Sequence, residues 1–130
     1  MMDAPIEVSG SVAANPLRVY EAFLDPQAHA EMTGAPATTA EDGGFTAWGG
    51  YISGRTQHVV PGKKIVQAWR TTDFPQDAPD SILEVHLEPC VGGTRVTFRH
   101  RDIPSGQGPN YARGWVEHYL DPMVEWFGAL

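Results

Sequence analysis

The side chains of this 130-residue chain best suited to proton transfer or metal ligation near neutral pH are its five histidines, His29, His58, His86, His100 and His118. Their spacing fits no metal site. No H-E-x-x-H pair occurs, and a single cysteine, Cys90, leaves no Cys cluster to join them. His86 falls between Val85 and Leu87 and so on the wet side of an alternating strand. His29 and His118 are read in the same way, as solvated surface histidines. His100 shares parity with Val96 and Phe98 and is expected to point inward, where an imidazole needs a hydrogen-bond partner. His58 shares the parity of Ile52 and is expected inward too. These two read as satisfied core histidines or ligand contacts rather than as catalytic groups.

Covalent chemistry finds no support. No G-x-S-x-G motif surrounds a serine, and Cys90 stands in Glu-Pro-Cys-Val-Gly-Gly, a turn rather than a helix start that would activate a thiol. Glu84 and Glu88 share one exposed strand face and read as solvated. Gly106-Gln107-Gly108 has no preceding strand and no following Lys, so it is a loop before a helix and not a phosphate cradle. Arg95, Arg99 and Arg101 alternate on a wet face, as a solubility row or a protein-docking patch. No catalytic residue, metal or cofactor is expected. What remains is aromatic. Trp115, Tyr119 and Trp126, with Met123, make one helical stripe, either core or the wall of a cavity.

The elements that must position these groups follow from period and punctuation. Ile6, Val8, Gly10 and Val12 alternate with polar residues, which predicts a half-buried strand. Asn15-Pro16 and Asp25-Pro26 each pair a good N-cap with proline at the first helical position, which predicts short helices over 15–24 and 26–32. Strands are expected over Thr38–Glu41, Phe45–Trp48, Tyr51–Val60, Ile65–Thr72, Ser81–Glu88 and Thr94–Ile103, separated by Gly-Gly and Pro-Gly turns. Gly49, Gly50 and Gly54 are where such a sheet could bend sharply. After Pro104-Ser105-Gly106 the period becomes helical, and Pro122 should kink or perturb that helix at the preceding turn. One long helix over the dry face of a curved antiparallel sheet gives an α+β fold, and 130 residues suit one domain, 1–130.

Composition narrows the partners. Sixteen acids against nine bases give a net charge of −7, so nucleic acid and anionic membranes are poor partners. No apolar run approaches a membrane span, and no basic and apolar leader opens the chain, so a cytoplasmic setting is expected.

Several stretches together are similar to one family. They are Asn15-Pro16 through Ala22-Phe23 with Asp25-Pro26, then Gly49-Gly50-Tyr51-Ile52-Ser53-Gly54 and Val60-Pro61-Gly62-Lys63-Lys64-Ile65-Val66-Gln67-Ala68-Trp69-Arg70. Gly93-Thr94-Arg95-Val96, Ile103-Pro104 and Gly114-Trp115 with Tyr119 and Met123 follow. In this order they resemble the activator of heat-shock-protein-ninety ATPase homologue family, within the START-like (SRPBCC) superfamily. The resemblance implies a helix-grip fold of six to seven strands wrapped around one long C-terminal helix, with two short helices after the first strand. It also implies one of three functions: binding a small hydrophobic or aromatic ligand between sheet and helix, in a stress-response role; acting with a chaperone or other protein partner; or cyclase-like chemistry on an aromatic or polyketide substrate. The expected ligand-binding residues are Trp69, Phe98, His100, Trp115, Tyr119, Met123 and His58, with Trp69 and Trp115 as structural anchors.

Overall fold

The computed structural model describes residues 2–130. Strand β1 (Ile6–Val12) leads into helices α1 (Pro16–Leu24) and α2 (Pro26–Thr33). Asn15 caps α1 by accepting from the Arg18 N–H at 2.9 Å, and Asp25 caps α2 by accepting from the Ala28 N–H at 2.8 Å. Gly34, at φ 81°, ends α2 in the left-handed conformation that glycine adopts without strain. Then come β2 (Thr38–Thr39), β3 (Gly44–Ala47), a 3-10 turn (Trp48–Gly50), β4 (Ile52–Val60), β5 (Lys64–Thr71), β6 (Ser81–Cys90) and β7 (Gly93–Arg101). The chain finishes as α3 (Gly108–Trp115), a π-helical turn (Val116–Leu120) and α4 (Asp121–Phe127), which run on as one helix.

All seven strands form one antiparallel sheet in the order β1-β7-β6-β5-β4-β3-β2. The helix-grip architecture that the resemblance implies is the one observed. Alternation places Ile65 and Trp69 of β5, Leu83, Val85 and Leu87 of β6, and Val96, Phe98 and His100 of β7 on the dry face. The long helix lays Tyr111, Trp115, Tyr119, Leu120 and Met123 onto that face, and all five are buried. On the wet face, Arg99 pairs with Glu7 and Arg101 with Glu84, while Arg95 donates to the Ser9 hydroxyl.

Pro122 perturbs the helix at the preceding turn, as expected: it lacks the N–H that would reach back to His118, and the turn directly before it is a π turn. Two expectations need amendment. Gly49 and Gly50 belong to the 3-10 turn rather than to a bent strand, whereas Gly54 lies in β4 opposite Trp69. A Cβ on Gly54 would stand 1.9 Å from the Ala68 carbonyl oxygen, so that position requires glycine. Finally, His58 points outward and is exposed. The β4–β5 register slips between Thr56 and His58, so the extra residue reverses the parity that Ile52, Gly54 and Thr56 follow. His58 then pairs with outward Val66, and Val59 takes the place opposite Ile65.

Candidate ligand-binding site

A cleft of about 350 Å³ opens between the long helix and the segment that joins β3 to β4. The sheet side contributes Trp48, Tyr51, Ile52 and Trp69. The helix side contributes Asn110, Tyr111, Arg113, Gly114, Trp115, Glu117, His118 and Tyr119. These helical positions recur at three- and four-residue spacing, so one helix face forms the whole of that wall.

Trp48 holds φ at 54°, followed by Gly49 at 65° and Gly50 at 94°. Glycine takes these angles freely, but at Trp48 they carry a steric cost. The tryptophan is thereby turned onto the helix, where its ring meets His118 edge-on at a centroid distance of 5.1 Å. Beside it a closed ring of hydrogen bonds ties the end of β5 and the loop after it to the start of the long helix. The Asp73 N–H donates to Thr71 Oγ1 at 3.1 Å, the Thr71 hydroxyl to Tyr111 at 2.7 Å, and the Tyr111 hydroxyl to Gln107 Oε1 at 2.6 Å. The Gln107 amide then donates back to the Asp73 carbonyl at 3.0 Å. Tyr51 adds a donation to Asp73 Oδ2 at 2.6 Å. Burial pushes the Tyr111 hydroxyl up to about 12 and the Tyr51 hydroxyl above its usual value, so both are neutral donors near neutral pH.

Behind the cleft the space is filled. Trp115 stacks on Phe98 with centroids 4.8 Å apart and planes 10° from parallel. Its Nε1–H donates to His100 Nδ1 at 3.1 Å. That bond leaves the proton of His100 on Nε2, which donates to Ser81 Oγ at 2.8 Å, and the Ser81 hydroxyl in turn donates to the Trp69 carbonyl at 2.6 Å. The imidazole is neutral and fully satisfied, and desolvation holds its pKa down at about 3.

His29 is buried, contrary to its reading as a surface histidine. It shares the buried face of α2 with Met32 and Thr33. Its Nδ1–H donates at 2.8 Å to the carbonyl of Phe23, in the last turn of α1, and its Nε2 accepts from the Tyr119 hydroxyl at 2.8 Å. Desolvation lowers its pKa as well. Tyr119 is therefore anchored from behind, and its burial raises its hydroxyl pKa. A smaller recess of about 90 Å³ lies on the far side of Ile52, Trp69, Trp115 and Tyr119, which line both spaces.

Of the seven residues expected at a ligand site, Trp69, Trp115 and Tyr119 line the cleft. Phe98, His100 and Met123 form the packed layer behind them, and His58 lies outside. Trp48, Tyr51, Tyr111, Arg113 and His118 were not anticipated. Two signals for them were present: aromatics flanking Gly49-Gly50, and a helical spacing from Tyr111 through Trp115 to His118 and Tyr119. Among the described residues, no group of three or more His, Cys, Asp or Glu could hold a metal ion, and no helix is long and apolar enough to cross a membrane.

Comparison with known proteins agrees with the fold. A human protein named Activator of 90 kDa heat shock protein ATPase homolog 1 is 27% identical over 125 residues, covering 95% of this chain and 37% of its own length. A Dictyostelium discoideum relative named Activator of 90 kDa heat shock protein ATPase homolog is 25% identical, covering 87% of this chain and 30% of its own. The chain thus spans about a third of the length of these curated relatives. Among solved structures, an HSP90 activator from Plasmodium falciparum superposes with a TM-score of 0.84 at 20% identity, over 95% of this chain and 96% of that one. A protein from Chromobacterium violaceum does so at 0.73 and 28% identity, again over 95% and 96%. Residues 13–128 match the family described as Activator of Hsp90 ATPase homolog 1-like protein, and the chain belongs to that family.

Proposed function

We propose that this protein binds a small aromatic molecule, without chemical turnover, in the cleft between the long helix and the β3–β4 segment. The observation that carries the reading is the lining itself. Trp48, Trp69, Trp115 and Tyr119 offer apolar faces, while Asn110, Arg113, Glu117 and His118 supply a few polar groups. Apolar walls give affinity and sparse polar groups fix orientation. The volume, about 350 Å³, suits a ligand of two or three rings rather than a long acyl chain. The buried histidines do not support catalysis, because both ring nitrogens of His29 and His100 are engaged within the protein.

The test is direct. Native mass spectrometry of freshly purified protein should show a co-purified small molecule. Titration with a varied panel of aromatic compounds should quench tryptophan fluorescence saturably and raise the melting temperature. No saturable quenching across the panel would overturn the reading. The names of the curated relatives favour a second role, as a partner of a ninety-kilodalton heat-shock chaperone. On that reading, the chain should change the ATP turnover of that chaperone from its own source.

A further inference from the structure

We propose that Gly114 sets the ligand selectivity of the cleft, with the bare helix backbone at that position receiving one face of a planar fused-ring molecule. This rests on the reading of the cleft as a ligand site. It starts from a residue that the fold itself does not explain. Gly114 lies inside the long helix, where glycine is the poorest former after proline.

Two structural reasons commonly keep a glycine in place, and neither applies here. The first is a left-handed backbone, but Gly114 is not among the glycines with positive φ. The second is close packing. A Cβ on Gly54 or Gly93 would strike a backbone carbonyl at 1.9 Å, whereas a Cβ on Gly114 would meet nothing within 4 Å. The position could hold a side chain without strain or clash. The open space that such a side chain would enter is the cleft, since Gly114 lines it.

The missing side chain has a consequence for shape. Flanking positions on the helix carry Arg113, Glu117 and His118, which stand exposed at the mouth. Between them the wall is flat peptide, and Trp48 forms part of the opposite wall. Close approach of a ligand to the main chain is a use for which glycine is suited. A flat ring can lie against peptide planes on one side and an indole on the other; a puckered aliphatic ring of the same carbon count is thicker and fits less well.

Calorimetric titration of the full chain with 2-naphthol and with its saturated counterpart 2-decalol tests the proposal, alongside melting curves of Gly114→Ala and Gly114→Leu. The wild type should bind 2-naphthol at least tenfold more tightly than 2-decalol. Gly114→Ala should raise the melting temperature by a few degrees, through helix propensity and a less free unfolded chain, and weaken 2-naphthol at least fivefold. Gly114→Leu should abolish binding while remaining folded. A lowered melting temperature in Gly114→Ala would make the glycine a structural requirement of the adjacent π turn and overturn the proposal. Unchanged 2-naphthol affinity in Gly114→Leu would overturn it while leaving the cleft a ligand site, and equal affinity for the two probes would overturn the planar class. A wild type that binds neither probe would overturn this proposal, and the reading beneath it falls only if the wider aromatic panel also fails to quench tryptophan fluorescence.

Discussion

His100 makes the stability of this protein depend on pH between about 3 and 6.5. In the folded state the imidazole is neutral and its pKa is held at about 3, against an ordinary value of 6.5. Between these values the unfolded chain takes up a proton that the folded chain refuses, so stability falls as pH falls. At about 1.4 kcal/mol per pH unit below 6.5, the loss from pH 7 to pH 5 is about 2 kcal/mol. With a typical urea slope of about 2 kcal/mol per molar, the unfolding midpoint should drop by about 1 M over that range. The side chain of His29, also lowered by desolvation, adds to the loss with the same sign. The decisive variant is His100→Gln, which keeps a donor and an acceptor but cannot charge. Its midpoint should fall by about 1 M less than that of the wild type between pH 7 and pH 5. Equal falls would refute the reasoning, because they would mean that the proton on His100 is not excluded by the fold.

Two other substitutions probe the same layer. Trp115→Ala removes an indole that is 3% exposed, stacks on Phe98 and donates to His100, and it should cost ~3–5 kcal/mol in urea unfolding; an unchanged midpoint would contradict its role as an anchor. Gly54→Ala places a methyl group 1.9 Å from the Ala68 carbonyl oxygen, so β4 and β5 must separate locally, and the melting temperature should fall well below that of Gly114→Ala.

Much of this architecture could be read along the chain because its signals are local. Proline after Asn15 and after Asp25 marks two helix starts within a residue of their observed positions. Alternation over β6 and β7 separates Val85 from His86 and Phe98 from Arg99 without reference to the rest of the fold. The misreadings occur where a distant contact or a local irregularity decides. His29 is buried by Tyr119, which lies 90 positions later in the chain. His58 faces outward because one residue is inserted opposite β5, and a single insertion in a strand moves every later side chain to the other face. Trp48 was read as the end of a strand, and nothing in its type announces a left-handed backbone.

The cleft shows why a list of inward residues does not outline a cavity. Parity and helical spacing identify the side chains between sheet and helix, but they cannot say which of these meet each other and which meet open space. Phe98, His100 and Met123 satisfy the same pattern as Trp69, Trp115 and Tyr119. The difference arises one step later. Phe98 and His100 are covered by Trp115, through a stacked ring and a hydrogen bond, so Trp115 has one face in the core and one toward the cleft. Tyr119 is held likewise, its hydroxyl spent on His29 and its ring left to the wall. A wall fixed from behind in this way keeps its shape without a ligand, and preorganisation of that kind lowers the ordering cost of binding. The outer side, built on the left-handed Trp48-Gly49-Gly50 turn, is held by the Gly49 N–H, which donates to the Pro36 carbonyl at 3.1 Å, and by the contact of Trp48 with His118. On the proposed reading, selectivity lies with the helix wall that faces it.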